Sequence, residues 1–425
     1  MTIAMSDEFT TFAQRAVIKV CGVGGGGGNA VNRMIAAGLR DVEFIVVNTD
    51  AQALKSSPSP KRLQIGIEMT GGLGSGAKPE IGKQAAIEDR EHLEEALRGA
   101  DMVFLTAGLG GGTGTGASPV VAEIAAASGA LTIGIVTLPF AFEGKERMEN
   151  ALQGLDELEP LVNSIIVVPN DRVAQLGQNK ITLVNAFQQA DEVLHNGVRA
   201  ITEVIMVHGL INVDFADVRT VMEAGGRALM GIGRADGERR SARAAEEAIV
   251  CPLLEQSNIN GATGVIINIR GGRDIGMREV EEAVSTVKKA AHPDARIIFG
   301  AVVEEEEQPE LQVMVIAAGF SPEAGARIAR RDRGNPAEDV HREEEKAPEV
   351  NTNEATSEPI VAPVIGPGRQ TEFLPDQEEV QEQEEEPAAE SAGHGDFEKP
   401  THQRLQEEEE DLRIPSFLRN RKKNK

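Results

Sequence analysis

The segment Ala107-Gly108-Leu109-Gly110-Gly111-Gly112-Thr113-Gly114-Thr115-Gly116 packs six glycines into the nine residues from Gly108 to Gly116. Before it, Met102-Val103-Phe104-Leu105 reads as a buried strand. After it, Pro119-Val120-Val121-Ala122-Glu123-Ile124 reads as a helix with Pro119 near its first turn. A stretch stripped of Cβ atoms lets several backbone N–H groups close on one anion, and the positive end of the following helix points the same way. Gly110, Gly111, Gly112, Gly114 and Gly116 bare the backbone, while Thr113 and Thr115 add hydroxyl donors. The segment reads as a phosphate cradle. It lacks the Lys of a G-x-x-x-x-G-K-[ST] loop, so it is not a Walker site.

Two more glycine-rich stretches precede it. Val17-Ile18-Lys19-Val20-Cys21 predicts a strand that runs into a loop, Gly22-Val23-Gly24-Gly25-Gly26-Gly27-Gly28-Asn29, with a helix from about Ala30 to Ala37. Taken alone this fits a G-x-G-x-x-G dinucleotide fingerprint, and Asp50, past the strand Glu43–Val47, stands where a ribose-binding acid belongs. A nucleotide- or dinucleotide-dependent oxidoreductase is therefore one reading. The third stretch, Gly71-Gly72-Leu73-Gly74-Ser75-Gly76-Ala77, favours another. A dinucleotide fold needs one such loop, whereas three converging on strand ends suit a triphosphate held on several sides. Strands at Ile133–Val136 and Ile165–Val168, alternating with helices, predict a doubly wound parallel sheet with its ligand beyond the carboxyl ends of the strands.

Polar clusters follow. Glu143 and Arg147, spaced i, i+4, suit either an ion pair on a helix face or recognition of sugar hydroxyls. Pro169-Asn170-Asp171 follows a strand. From Ile181 to Met206, apolar residues at Leu183, Phe187, Ala190, Leu194, Val198, Ile201 and Ile205 predict one long helix buried along a stripe, with Asp191 in its first half. Asn212-Val213-Asp214-Phe215-Ala216-Asp217 opens another helix, where Asp214 suits an N-cap and Asp217 the first turn. Past Gly225-Gly226, a helix at Arg240–Val250 and strands at 264–269, 295–299 and 311–316 predict a second, smaller α/β domain.

Apolar residues make up 40% of the chain and aromatic ones 3%, with no Trp and no Tyr, so the core must be aliphatic. A net charge of −25 argues against nucleic-acid binding. Without an apolar run of about 18 residues or an N-terminal signal pattern, a cytoplasmic protein is expected. Cys21 and Cys251, in apolar surroundings, are expected as buried free thiols. Residues 321–410 carry 25 acidic and 9 basic side chains with abundant Pro and Gln, a composition that predicts disorder. Beyond them, apolar residues cluster at the tip of the tether, the pattern of a docking peptide. Arg421, Lys422 and Lys423 add weak attraction to anionic lipid.

The Gly25–Asn29 stretch, the Gly-Gly-Gly-Thr-Gly-Thr-Gly run, the Glu143 and Arg147 pair and Asn-Val-Asp-Phe-Ala-Asp resemble the tubulin and FtsZ family of self-assembling GTPases. The resemblance covers about residues 15–320 and returns at 411–419. It implies a tubulin-like α/β fold: a flexible N-terminus (1–15), a Rossmann-type parallel-sheet GTPase domain (16–180), a central helix (181–206), a smaller α/β domain (207–320), a disordered acidic linker (321–410) and a C-terminal peptide (411–425). It implies filaments that act in bacterial cell division beneath the membrane and hydrolyse GTP between consecutive subunits. GTP or GDP phosphates would meet Gly25, Gly26, Gly27, Gly28, Asn29, Gly112, Thr113 and Gly114, with Mg²⁺ bridging them. Glu143 and Arg147 would meet the ribose, and Asn170, Phe187 and Asp191 the guanine. Asn212, Asp214 and Asp217 would enter the next subunit's pocket and orient the attacking water. Ile414, Pro415, Phe417 and Leu418 would bind membrane-tethering and regulatory division proteins, with Arg413 standing where the family pattern has Asp. GTPase activity per subunit that rises with protein concentration separates this reading from the oxidoreductase, which would bind NAD as a dilute monomer.

Overall fold

The computed structural model describes residues 15–176, 182–206, 213–223, 225–254, 259–304 and 306–320. Asn212, the acidic segment and the terminal peptide with Ile414, Pro415, Phe417, Leu418, Arg421, Lys422 and Lys423 lie outside the described residues.

The chain opens with strands and helices in alternation. It runs β1 (Ile18–Val23), α1 (Gly24–Ala36), β2 (Glu43–Asn48), α2 (Ala51–Lys55), β3 (Lys61–Gln64), α3 (Ile67–Thr70), α4 (Pro79–Glu88), α5 (Arg90–Leu97) and β4 (Met102–Gly108). There follow α6 (Thr113–Ala127), β5 (Leu131–Leu138), α7 (Lys145–Leu158), β6 (Ser164–Pro169), α8 (Asn170–Val173) and α9 (Leu183–Met206). The last elements are α10 (Phe215–Met222), β7 (Arg227–Asp236), α11 (Arg240–Ile249), β8 (Ala262–Gly271), α12 (Met277–Ala290), β9 (Arg296–Val303) and β10 (Glu310–Phe320).

The central strands are apolar on both faces, which is what a parallel sheet covered by helices on either side requires. Met102 and Phe104 of β4 join one apolar cluster with Ile133 and Ile135 of β5. The alternate residues Val103, Leu105 and Ala107, with Val136 and Leu138, join the cluster on the other face. The strands run in the order β3-β2-β1-β4-β5-β6-β7-β10-β8-β9. β3 to β6 are parallel, in the order of a doubly wound nucleotide fold. α9 lies across this sheet: Val193, Leu194, Val198 and Ile201 share the cluster of Ile133 and Ile135. Further along, α9 meets β8, where Asn268 Nδ2 donates to Ala200 O at 3.2 Å and to Glu203 Oε2 at 2.9 Å.

β7 is the element that sequence reading passes over. It pairs parallel with β6 at only two positions, Ile165–Arg227 and Ile166–Ala228, and then antiparallel with β10 along eight. One sheet thus continues from the nucleotide-fold half into the second α/β half. Gly225 and Gly226, both at positive φ, turn the chain into β7. Arg227, its first residue, is buried and makes a bidentate bond to Glu159. Glycines inside β7 weaken its strand signal, yet packing demands them. A Cβ on Gly231 would stand 2.1 Å from Ala248 O, and one on Gly233 2.0 Å from Ala244 O, both on the backbone of α11.

Two helix starts differ from expectation. The stretch Gly24–Gly28, expected as a loop, is the first turn of α1. α6 begins at Thr113, so Pro119 is its seventh residue and not near its start. Cys21 and Cys251 are buried free thiols, and burial pushes the Cys21 thiol up to about 12. Among the described residues no helix is long and apolar enough to cross a membrane.

Gly233 takes no positive φ, so its reason is purely steric. Gly233→Ala is expected to lose about 1–3 kcal/mol by forcing α11 off the sheet. Equilibrium urea unfolding tests this; an unchanged midpoint would show that α11 moves away freely.

Candidate functional site

The carboxyl ends of β1, β2, β4, β5 and β6 open onto one cavity of about 270 Å³. At one end α1 and α6 present their first turns. Neither helix has a side-chain cap or an acidic residue in that turn, so its N–H donors are left for an anion. Gly25, Gly26 and Asn29 line this end from α1, and Gly111, Gly112, Thr113 and Gly114 from the start of α6. Gly74, Ser75 and Ala77 close it from a third side. Thr113 Oγ1 lies 2.6 Å from Thr49 Oγ1 and 2.9 Å from Ser75 Oγ, which pins the three loops together. A Cβ on Gly112 would meet Ser75 Oγ at 2.2 Å, and one on Gly24 would meet Gly114 N at 2.6 Å. The loops approach this closely only because they are glycine.

Along the middle, Glu143 accepts from Phe140 N at 2.9 Å and pairs with Arg147 Nε at 3.1 Å. Both side chains also line the cavity, so an ion pair and a polar edge for a ligand coexist. At the far end stand Asn170, Phe187, Ala190, Asp191 and Leu194. Asn170 is buried, and its Oδ1 has no hydrogen-bond partner among the described residues. Phe187 packs edge-on against Phe140 at 5.2 Å, and Phe140 stacks on Phe142 at 5.0 Å. Asp191 lies 3.8 Å from Arg33 Nε. Burial nevertheless lifts its carboxyl to about 7, because loss of solvation outweighs the guanidinium's pull.

Several residues expected at the phosphate do not line this cavity. Gly27 is where α1 touches β4: a Cβ there would be 2.2 Å from Thr106 O. Gly28 borders a smaller recess of about 180 Å³ beside the main one. Gly110 turns the backbone at φ +94 and donates to Thr115 Oγ1 at 2.8 Å, so Thr115 braces the loop from within. Gly116 lets α6 close on α4, where a Cβ would fall 1.8 Å from Pro79 O. Gly76 takes φ +60 in the turn before Ala77. Conversely, Asn48, Gly108, Leu109, Thr137 and Pro139 do line the cavity. Gly108 and Leu109 belong to the segment already read as a cradle; for Asn48, Thr137 and Pro139 the signal was position, each ending or closely following a predicted strand. Asp50 lines it too, but its Oδ1 caps α2, accepting from Gln52 N at 2.8 Å and Ala53 N at 3.1 Å. The acid that suited a dinucleotide is occupied in holding a helix.

Asp214 and Asp217 lie at the start of α10, away from the cavity. Asp214 takes the N-cap position but makes no side-chain cap bond, and Asp217 is bonded to Arg296 of β9. Val213 N reaches Val204 O at 3.4 Å. At about 1.5 Å per residue, Val204 is about 20 Å along α9 from Asp191, so the segment that leads into α10 starts well down that helix from the cavity.

A doubly wound sheet whose glycine-built cavity offers two bare helix starts, and no Walker lysine, defines a nucleotide-binding protein outside the P-loop class. Residues 17–178 match the Tubulin/FtsZ family GTPase domain, and residues 226–321 the FtsZ family C-terminal domain. The fold is similar to that of an FtsZ dimer from M. jannaschii, at 44% identity and TM-score 0.69 over 72% of this chain and 89% of that one. It is also similar to CetZ2 from Haloferax volcanii, at 22% identity and TM-score 0.62 over 77% of this chain and 99% of that one. CetZ1 of the same organism gives 19% identity and TM-score 0.63, covering 75% and 98%. The chain belongs to the FtsZ family; it is a GTPase that binds GTP and GDP.

The raised Asp191 carboxyl has a consequence for the nucleotide-free protein. Its folded pKa of about 7 exceeds the ordinary carboxylate value, so folding takes up a proton and stability is lost as pH rises from about 4 towards 7. Asp191→Asn removes that loss. The nucleotide-free variant should gain roughly 2 kcal/mol over wild type at pH 8 and little at pH 4, allowing for partial solvent contact of the carboxyl. Denaturant unfolding at the two pH values tests this; an equal effect at both would place the ionised carboxylate in a solvated setting.

Proposed function

We propose that this chain is the subunit of a cell-division filament, stacked head to tail, in which each GTP is hydrolysed at the junction with the next subunit. The observation that carries this reading is that Asp214 and Asp217 open a helix seated at the amino ends of the strands, where Ser164 Oγ donates to Met222 O at 2.8 Å and Arg219 to Gly129 O at 3.1 Å, whereas the cavity lies beyond their carboxyl ends. Carboxylates so placed serve a neighbour's nucleotide and not their own. Exposed apolar side chains flank the cavity-lining loops, with Leu73 90% and Phe142 65% exposed, which suits a face covered by a second copy. Identity of 44% with FtsZ from M. jannaschii, against 22% and 19% with CetZ2 and CetZ1, favours an FtsZ-like role over a CetZ-like one.

In this reading the N–H groups of Gly25, Gly26, Gly112, Thr113 and Gly114, with Asn29, hold the phosphates. Glu143 and Arg147 hold the ribose, Phe187 stacks on the base, and Asp191 accepts from the two donors of the guanine edge. Mg²⁺ is assigned to the phosphates, because in nucleotide sites it is held chiefly by phosphate oxygens and water. When bound it draws charge from their oxygens. Asn212, Asp214 and Asp217 of the next subunit orient a water towards the γ-phosphorus. The new P–O bond forms as the bond to the β–γ bridging oxygen breaks; one proton of the water stays on the new phosphate and the other passes to solvent, leaving GDP and phosphate.

Asp214→Ala is expected to bind GTP as a monomer with nearly wild-type affinity while turnover falls by about a hundredfold. Mixed with wild type, it should lower the activity of the wild-type subunits, because mutant loops would sit on wild-type nucleotides. Activity that stays proportional to the amount of wild type would mean the site is not shared.

The peptide Ile414-Pro415-Ser416-Phe417-Leu418 is assigned to membrane-tethering and regulatory partners at the division site, with Arg421, Lys422 and Lys423 adding weak lipid attraction. Phe417→Ala should abolish partner binding in an anisotropy titration and leave GTPase activity intact. Undiminished binding would move the docking site elsewhere.

A further inference from the structure

We infer that Arg296, the first residue of β9, is a positioning residue that aims Asp217 at the neighbouring subunit's nucleotide; this rests on the shared-site reading above. Asp217 is the third residue of α10, where a carboxylate ordinarily turns back onto the free N–H groups of its own helix. Here it does not. Asp217 Oδ1 instead accepts from Arg296 Nη2, and the N-cap Asp214 makes no side-chain bond to the helix either.

The contact is built in from below. Arg296 pairs in register with Gly264 of β8, and Val221 of α10 rests on that same glycine, where a Cβ would stand 2.7 Å from Val221 Cγ1. The bare position seats α10 close on β8, next to the strand whose first residue reaches its first turn. The other cation beside this turn is engaged elsewhere: Arg219 pairs with Glu223 at 3.4 Å, donates to Gly129 O at 3.1 Å and lies over the Phe215 ring.

The Asp217 and Arg296 side chains are 44% and 50% exposed. An ion pair so solvated adds little to fold stability, so holding the fold is a poor explanation for it. Two carboxylates brought against a triphosphate repel it. A guanidinium on one of them offsets that repulsion and fixes the rotamer before the subunits meet.

The experiment measures GTPase rate per subunit against protein concentration at saturating GTP for the full chain and for Arg296→Ala, Arg296→Lys and Asp217→Ala. Monomer GTP affinity and thermal midpoint are recorded beside each. Arg296→Ala should lower the rate by about tenfold. Its GTP affinity and midpoint should stay at wild-type values, and Arg296→Lys should recover part of the rate. In mixtures, Arg296→Ala should depress wild-type subunits. An Arg296→Ala rate within twofold of wild type or above it, beside an inactive Asp217→Ala, overturns the role of Arg296 and leaves the shared site standing. An active Asp217→Ala overturns the shared site itself.

Discussion

Backbone lying directly on backbone, with no side chain between, is the constraint from which the nucleotide site follows. The first turn of α1 rests on β4 through Gly27 and Thr106 O, and Gly24 lies against Gly114 at the start of α6. These contacts bring two helix N-termini to one point. They also explain an unusual helix. Five consecutive glycines are poor helix formers, so the first turn of α1 is held by its surroundings and not by its own propensity. Thr113, bonded to both Thr49 and Ser75, fastens the same point from the side. A Cβ at Gly24, Gly27 or Gly112 would open the cavity and loosen the sheet together.

α9 carries information of another kind. Asp191, His195, Arg199 and Glu203 recur every four residues and so share one side of the helix. The first lines the cavity, while the last bonds Asn268 and, at 2.6 Å, Arg270. Arg199 donates to Gln312 of β10 at 2.6 Å. His195 between them is buried, and with Arg199, Arg270 and Arg33 near it the imidazole is driven down to about 4, so it stays uncharged at neutral pH. One rigid helix thereby references the base end of the cavity to the half of the protein that carries Asp217.

Much of this was legible in the sequence because its signals are local. Strand apolarity, glycine density and the stripe of α9 each follow from a few neighbouring residues, and they led to the sheet, the glycine-lined end of the cavity and the long helix; Asp191 was singled out by the family resemblance. What escaped depends on partners far away in the chain. β7 looked broken because Gly231 and Gly233 answer to α11, and Gly24–Gly28 looked like a loop because their helix is imposed by β4 and α6. Gly116 and Thr115 resembled phosphate ligands since glycine and threonine serve packing and anion binding alike. Arg296 had no signal at all; one arginine before Ile297-Ile298-Phe299 gains meaning only beside α10.

The aliphatic core has an optical consequence. Val, Ile, Leu and Met fill it, with Phe104 the largest fully buried side chain, and the chain has neither Trp nor Tyr. Phenylalanine absorbs weakly in the near ultraviolet, where guanine absorbs strongly. At wavelengths beyond the phenylalanine band, the absorbance of a nucleotide-loaded sample is therefore essentially that of the nucleotide, which makes occupancy readable from absorbance. A single indole placed beside the cavity, at Phe187 for instance, would be the chain's sole tryptophan emitter and would report the arrival of the base without background.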